Sequence, residues 1–305
     1  MDVLQFVFDL GVLLFHILKF YCYFLWRCFV PRRKKTVVGE VVVITGAGHG
    51  IGKEVALRLG RLGAKLALLD IGKKGVDEVA DAINEYGGFA RAYVCDVAND
   101  VMVSEVAQRV EDEIGDVGVL INNAGIAHCH DLLTLSMKRI QLTFDVNIVA
   151  YMRMVKTFLP KMIHTNRGHI VNMASTASFR GTPFLADYCS TKFAVRGFTE
   201  ALREEIRLLH GKDIKVTCVF PLFVNTGIVP LQRMKVGKIG TIYSPEDAAD
   251  FIVDGILREE KEVYIPKWFR FLATLAGCLP YGIVKVISDF FGVGVSADTK
   301  HTHPE

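Results

Sequence analysis

Val41-Val42-Val43-Ile44-Thr45-Gly46-Ala47-Gly48-His49-Gly50-Ile51-Gly52 is the stretch that decides the fold. Four consecutive branched apolar residues read as a strand buried on both faces. Glycines then punctuate the chain, and a helix follows at once, running to about Leu62. A strand, a glycine-rich turn and a helix in that order make a phosphate cradle. The glycines let the backbone approach a pyrophosphate, and the helix N-terminus supplies N–H donors. Gly46, Gly48, His49, Gly50, Ile51 and Gly52 are therefore candidate cofactor-binding residues. A structural turn without a nucleotide is the competing reading of the glycines alone.

Moving outward, Lys65 to Asp70 is a second strand, ending in an acid about twenty residues beyond the glycines. A carboxylate there accepts hydrogen bonds from the hydroxyls of an adenosine ribose and repels a 2′-phosphate, which favours NAD over NADP. Lys73 and Lys74 follow and would soften that exclusion; a helix N-cap is the plainer role for Asp70. Ala90 to Cys95 is a third strand, with Asp96 and Val97 placed to frame an adenine ring or to be a solvated loop. Val117 to Ile121 is a fourth, ending at Asn122-Asn123-Ala124-Gly125, which also reads as a turn. A long helix is expected over 142–165, and Asn147 lies inside it although asparagine is a poor helix former. His169 to Met173, Lys215 to Phe220 and Val263 to Ile265 complete the strands. Strands alternating with helices predict a doubly wound parallel sheet covered on both faces, with ligands at the C-terminal strand ends.

Ser175 follows the fifth strand, thirteen residues before Tyr188, and Lys192 stands four residues after the tyrosine. Positions i and i+4 share a helix face, so the ammonium can lie beside the phenol. A free phenol has a pKa of about 10. A neighbouring positive charge favours the phenolate and makes tyrosine an acid/base near neutral pH.

Net charge is only +3 over 305 residues, which gives no argument for a nucleic-acid partner. The seven cysteines form no CxxC pair and read as reduced thiols. His128, Cys129, His130 and Cys189 lack the spacing of a ligand set, so no metal is expected; His164 and His169 read as surface or strand-end residues.

Residues 1–30 form a hydrophobic anchor segment, and 31–40, with Pro31-Arg32-Arg33-Lys34-Lys35, a basic linker. On a helix, Asp2, Gln5, Asp9, His16, Lys19, Tyr23 and Arg27 fall within one sector roughly 100° wide. That suits a helix lying in a membrane interface with the basic run at the headgroups; a spanning helix is the alternative. Residues 41–266 form the nucleotide-binding domain, with Phe223 to Tyr243 as a substrate-covering loop. Residues 267–305 are an apolar segment, either membrane-contacting or a core or dimer helix, with a disordered end from Ala297.

The glycine turn, Asn122-Asn123-Ala124-Gly125, Asn147, Ser175 and Tyr188-x-x-x-Lys192 together resemble the short-chain dehydrogenase/reductase family over about residues 37–265. The resemblance implies a Rossmann-type NAD(P) fold and a catalytic set of Asn147, Ser175, Tyr188 and Lys192. It places Asn123, Ala124, Gly125, Tyr188, Lys192, Pro221, Val224 and Thr226 around the cofactor. Asn147 would hold a water in a proton relay, and Thr226 would contact the nicotinamide carboxamide or a phosphate. The basic entry and Phe223-Val224-Asn225-Thr226-Gly227 are similar to membrane-associated retinol dehydrogenases and 17β-hydroxysteroid dehydrogenases of endoplasmic reticulum and lipid droplets. Leu222 departs from the Pro-Gly that many members carry after the sixth strand. The implied function is NAD-dependent oxidation of a lipophilic alcohol by a protein at a membrane or droplet surface. Its catalytic domain would face the cytosol, with a homodimer as the common assembly. An NADPH-dependent reductase of a lipid carbonyl and a non-catalytic droplet-surface protein are the rival readings.

Overall fold

The computed structural model describes residues 3–210, 213–230, 234–236, 240–292 and 294–296. An apolar helix, α1 (Val3–Phe29), leads into β1 (Val41–Thr45), α2 (Gly50–Arg61), β2 (Lys65–Asp70), α3 (Lys73–Glu85) and β3 (Phe89–Val94). Then come α4 (Asp100–Glu113), β4 (Val117–Asn122), α5 (Met137–Phe144), α6 (Ala150–Thr165), β5 (Gly168–Met173), α7 (Ala186–Glu205) and β6 (Ile214–Pro221). The chain continues through β7 (Met234–Lys235), α8 (Pro245–Leu257), β8 (Glu262–Ile265), α9 (Phe269–Gly277), α10 (Tyr281–Phe291) and β9 (Gly294–Val295).

Seven strands form one sheet in the order β3-β2-β1-β4-β5-β6-β8, and every neighbouring pair is parallel. Alternate residues of β1 face opposite sides. Val42 and Ile44 pack under α2, α3 and α8 with Val55, Leu59, Val76 and Ile252. Val43 packs on the other face with Val106, Met154 and Phe158 of α4 and α6. This is why the strand reads as an unbroken apolar run: neither face meets water. The sheet winds outward in both directions from β1 and β4, so the crevice between their C-terminal ends is the topological switch point, where such sheets take ligands.

The expected helix over 142–165 runs without interruption but changes its winding. α5 ends at Phe144, a π-helical turn occupies Asp145–Val149, and α6 follows. A second π turn, Ile206–His210, ends the tyrosine helix. His169 is not at the surface. It is fully buried, burial holds its imidazole well below the usual range and therefore neutral, and its Nδ1 lies 3.2 Å from Lys35 Nζ.

That contact belongs to a larger correction. The basic run does not hang free toward headgroups. Arg32 donates to the Glu259 carbonyl at 2.9 Å, and Arg258 donates to the Arg32 carbonyl at 2.6 Å. Lys34 pairs with Asp254 at 2.9 Å, Lys35 N–H donates to the Leu257 carbonyl at 2.7 Å, and Val37 is 2% exposed. The linker is docked against the end of α8. The segment expected to be disordered, from Ala297, lies outside the described residues.

Candidate active site

The cofactor cradle is held open by close backbone packing. Gly46 has φ +65°, and a Cβ there would lie 2.9 Å from the Ala124 Cα. A Cβ on Gly52 would meet the Gly46 carbonyl and lie 2.6 Å from the Asn123 amide nitrogen. Only glycine fits at either position, and the close packing they allow sets the turn at the N-terminus of α2, whose first N–H groups suit a pyrophosphate. His49 is extended and exposed at the N-cap of α2 and makes no side-chain cap bond. Thr226 lies over this turn: its Cβ would be 3.3 Å from a Cβ on Gly50.

Asp70 is 8% exposed at the end of β2. One carboxylate oxygen accepts from Gly48 N–H at 2.8 Å and the other from Gly72 N–H at 2.9 Å. It therefore ties the glycine turn to the start of α3, whose N-cap is Gly72. Each oxygen keeps a lone pair for a ribose hydroxyl. Lys73 and Lys74 pair along α3 with Asp77 and Glu78. Asp96 accepts from Ala98 N–H at 2.9 Å, closing the turn that presents buried Val97.

Asn123 and Thr45 stitch β4 to β1. The Asn123 amide donates to the carbonyls of Thr45 and Gly46 at 2.9 and 3.0 Å. The Thr45 hydroxyl accepts from the N–H groups of Asn123 and Ala124 at 3.0 and 3.1 Å. The Asn123 side chain is thus spent on shaping the cradle. Thr45, absent from the sequence-derived set, is its partner; a lone threonine ending a strand carries no signal of this.

The other half of the crevice brings Ser175, Tyr188, Lys192 and Asn147 together. Ser175, 8% exposed beyond β5, accepts from Ala177 N–H at 3.1 Å and points its hydroxyl at the Pro221 carbonyl, 3.4 Å away. Tyr188 and Lys192 project from the first turns of α7. The Lys192 ammonium is buried, donates to the Met173 carbonyl at 2.8 Å and lies 5.5 Å from the Tyr188 ring centre. A Cβ on Gly125 would sit 3.5 Å from Asn147 Oδ1 and 3.7 Å from Lys192 Nζ, so these three positions converge.

The electrostatics differ from the sequence expectation. Burial pushes the Tyr188 phenol up to about 12, with a hydrogen bond from Ser175 acting in the opposite sense. Burial likewise draws the Lys192 ammonium down to about 8. Desolvation disfavours whichever form is charged.

Asn147 sits in the π turn of the long helix. Its amide is fully buried; Oδ1 accepts from Ile126 N–H at 2.8 Å, and Nδ2 donates to the Ile126 carbonyl at 2.9 Å. Nδ2 also lies 3.1 Å from the Thr191 hydroxyl. The wide π turn carries this side chain to the loop after β4, as π turns often do at functional sites. Tyr151 was also unforeseen: its buried hydroxyl bridges toward the Ala124 and Met173 carbonyls at 3.0 and 3.3 Å. Pro221 ends β6, and Val224 is buried and bridged to Tyr243. Cys129 and Cys189 are buried among apolar side chains.

A family model described as short chain dehydrogenase matches residues 40–236. The chain is 40% identical over 261 residues to estradiol 17-beta-dehydrogenase 11 of Homo sapiens, covering 86% of each chain. It is 36% identical over 274 residues to 17-beta-hydroxysteroid dehydrogenase 13 of Homo sapiens, covering 90% of each. A short chain dehydrogenase/reductase from Burkholderia phymatum, solved in complex with NAD, superposes with TM-score 0.72 at 26% identity over 83% of this chain and 96% of that one. A metagenomic short-chain oxidoreductase in complex with NADP superposes with TM-score 0.63 at 28% identity over 75% of this chain and 98% of that one. The family match takes in most of the sheet and the curated relatives extend well beyond it, so the chain belongs to the short chain dehydrogenase family and is an alcohol–carbonyl oxidoreductase with a nicotinamide cofactor.

Proposed function

We propose that the protein oxidises a hydroxyl on a lipophilic molecule of the retinol or hydroxysteroid class, using NAD, at the surface of the endoplasmic reticulum or of lipid droplets. The observation that carries this reading is the convergence of Ser175, Tyr188 and Lys192 beside the glycine cradle. Bound NAD supplies the hydride acceptor. Ser175 hydrogen-bonds the substrate oxygen as it becomes a carbonyl. Tyr188 takes the hydroxyl proton. Lys192, held by the Met173 carbonyl, supplies positive charge beneath the phenol ring. Asn147 fixes the loop after β4 through both Ile126 bonds and so sets the wall beside Lys192. Asp70 at the adenosine end supports NAD, because a 2′-phosphate would meet its carboxylate.

The lipophilic class rests on the hydroxysteroid dehydrogenase relatives and on exposed apolar surface. α1 contains a 20-residue apolar stretch, Leu4–Tyr23, none of it buried. At 1.5 Å per residue the whole helix is about 40 Å long, enough either to cross or to lie on a bilayer. α10 buries none of its eleven residues, and Phe271, Tyr281, Val286 and Phe290 are exposed. These surfaces support a lipid contact that puts the site close to substrates dissolved there, with the catalytic domain on the cytosolic side. Exposed Met152 and Phe193 on α6 and α7 support a homodimer.

Tyr188→Phe tests the chemistry. It should lower NAD-linked oxidation of all-trans-retinol or estradiol by about 10²-fold or more, while NAD still raises the melting temperature. Undiminished turnover in that variant would remove Tyr188 from the reaction.

A further inference from the structure

A segment from the far end of the chain packs beside Tyr188. β9 pairs antiparallel with β7, Val295 opposite Met234 and Gly294 opposite Lys235. β7 belongs to the loop after β6, the loop read from the sequence as a substrate cover; β9 follows α10. Val295 is 4% exposed, although the helix that delivers it is unburied throughout. Its burial comes from an apolar cluster that also holds Cys129, from the loop after β4, and Cys189, next to the catalytic tyrosine. Tyr188 itself, Ala177 beyond Ser175, and Phe223 beyond Pro221 pack against the same cluster. The segments that present Ser175, Tyr188 and Lys192 thus share one apolar cluster with Val295. The ribbon is only two residues long on each side. Two-stranded ribbons have little independent stability, and short elements of this kind open locally at low cost.

We propose that Val295 is the roof of the alcohol pocket above Tyr188 and a specificity-determining residue, selecting alcohols by the room it leaves. This rests on the reaction proposed above, so the test has one arm that needs no turnover. The first arm compares the full-length protein with Val295→Ala by maleimide labelling, read peptide by peptide in a mass spectrometer. Labelling of Cys129 and Cys189 should accelerate several-fold. Cys95 and Cys218, buried in other clusters, serve as controls for global loosening. Equal rates at Cys129 and Cys189, or the same acceleration at all four thiols, would overturn the roof.

The second arm uses Val295→Phe and Val295→Ala with NAD and two secondary alcohols, cyclohexanol and estradiol. The ratio of kcat/KM for the bulky over the small alcohol should fall about tenfold in the phenylalanine variant and rise in the alanine variant, the scale that small changes of pocket volume produce. NAD affinity should stay within about twofold of wild type, as expected for a wall remote from the cradle. An unchanged ratio in both variants would remove Val295 from specificity. Wild-type protein that turns over neither alcohol, with Cys129 and Cys189 still unmasked by Val295→Ala, would sink the choice of substrates and leave the roof standing.

Discussion

Lys192 and Tyr188 are both held away from their charged forms by burial, and the lysine gives that effect a signature in stability. An ammonium drawn from 10.5 to about 8 on folding means that the unfolded chain holds this proton more tightly. Below pH 8 the penalty is complete and constant. It shrinks as pH rises from about 8 to 10.5 and is gone above, so this residue makes stability climb across that window. Lys192→Met removes the titration. The melting temperature of wild type relative to that variant should therefore increase between pH 8 and 10.5; a constant difference would show that the ammonium is not desolvated. Asp70 makes a second prediction at the same scale. Asparagine offers one acceptor where the carboxylate serves both Gly48 and Gly72. Asp70→Asn should cost about 1–3 kcal/mol and narrow the preference for NAD over NADP in titrations of each cofactor. Unaltered discrimination would assign cofactor choice elsewhere. Ser175, Tyr188 and Lys192 were legible because their spacing is a helix and loop property. His169 was not, because its partners are distant: Lys35 lies 134 positions earlier and Thr217 48 positions later.

At the scale of elements, the strands follow their apolar runs to within a residue or so, since the central strands are buried on both faces and favour apolar side chains. The π turn at Asp145–Val149 has no such local cause. It depends on backbone groups of Ile126, 21 residues away, that capture the Asn147 amide. The glycine turn combines both kinds of information: its composition announces a cradle, and what forbids a side chain at Gly52 is first the Gly46 carbonyl of the same turn and then the Asn123 amide, 2.6 Å from the Cβ position. Gly52→Ala should consequently destabilise the fold by about 1–3 kcal/mol and weaken NAD binding at least tenfold, by calorimetry and thermal melts. Wild-type affinity in that variant would show that the turn can widen without cost.

For the molecule as a whole, the docked linker changes what α1 can be. Arg32, Lys34 and Lys35 are engaged by the Glu259 carbonyl, Asp254 and His169, so the helix leaves a fixed point on the domain. Deleting residues 1–30 should leave the melting temperature within a few degrees and abolish co-flotation with phosphatidylcholine vesicles. Replacing Lys34 and Lys35 with methionine in the full chain should lower the melting temperature while flotation persists. Flotation that survives removal of residues 1–30 would place the main lipid contact on α9 and α10. From the sequence alone come the alternation of strands and helices, the cradle, the tyrosine–lysine pair and the apolar N-terminal helix. All of these are written in neighbouring residues, as periodicity, spacing and composition. The tertiary structure alone decides the burial that shifts Tyr188 and Lys192, the stitching of Asn123 to Thr45, the anchoring of the basic linker and the packing of Val295 into the cluster beside Tyr188. Each needs partners tens to hundreds of positions away, and only the folded sheet brings them within bonding distance.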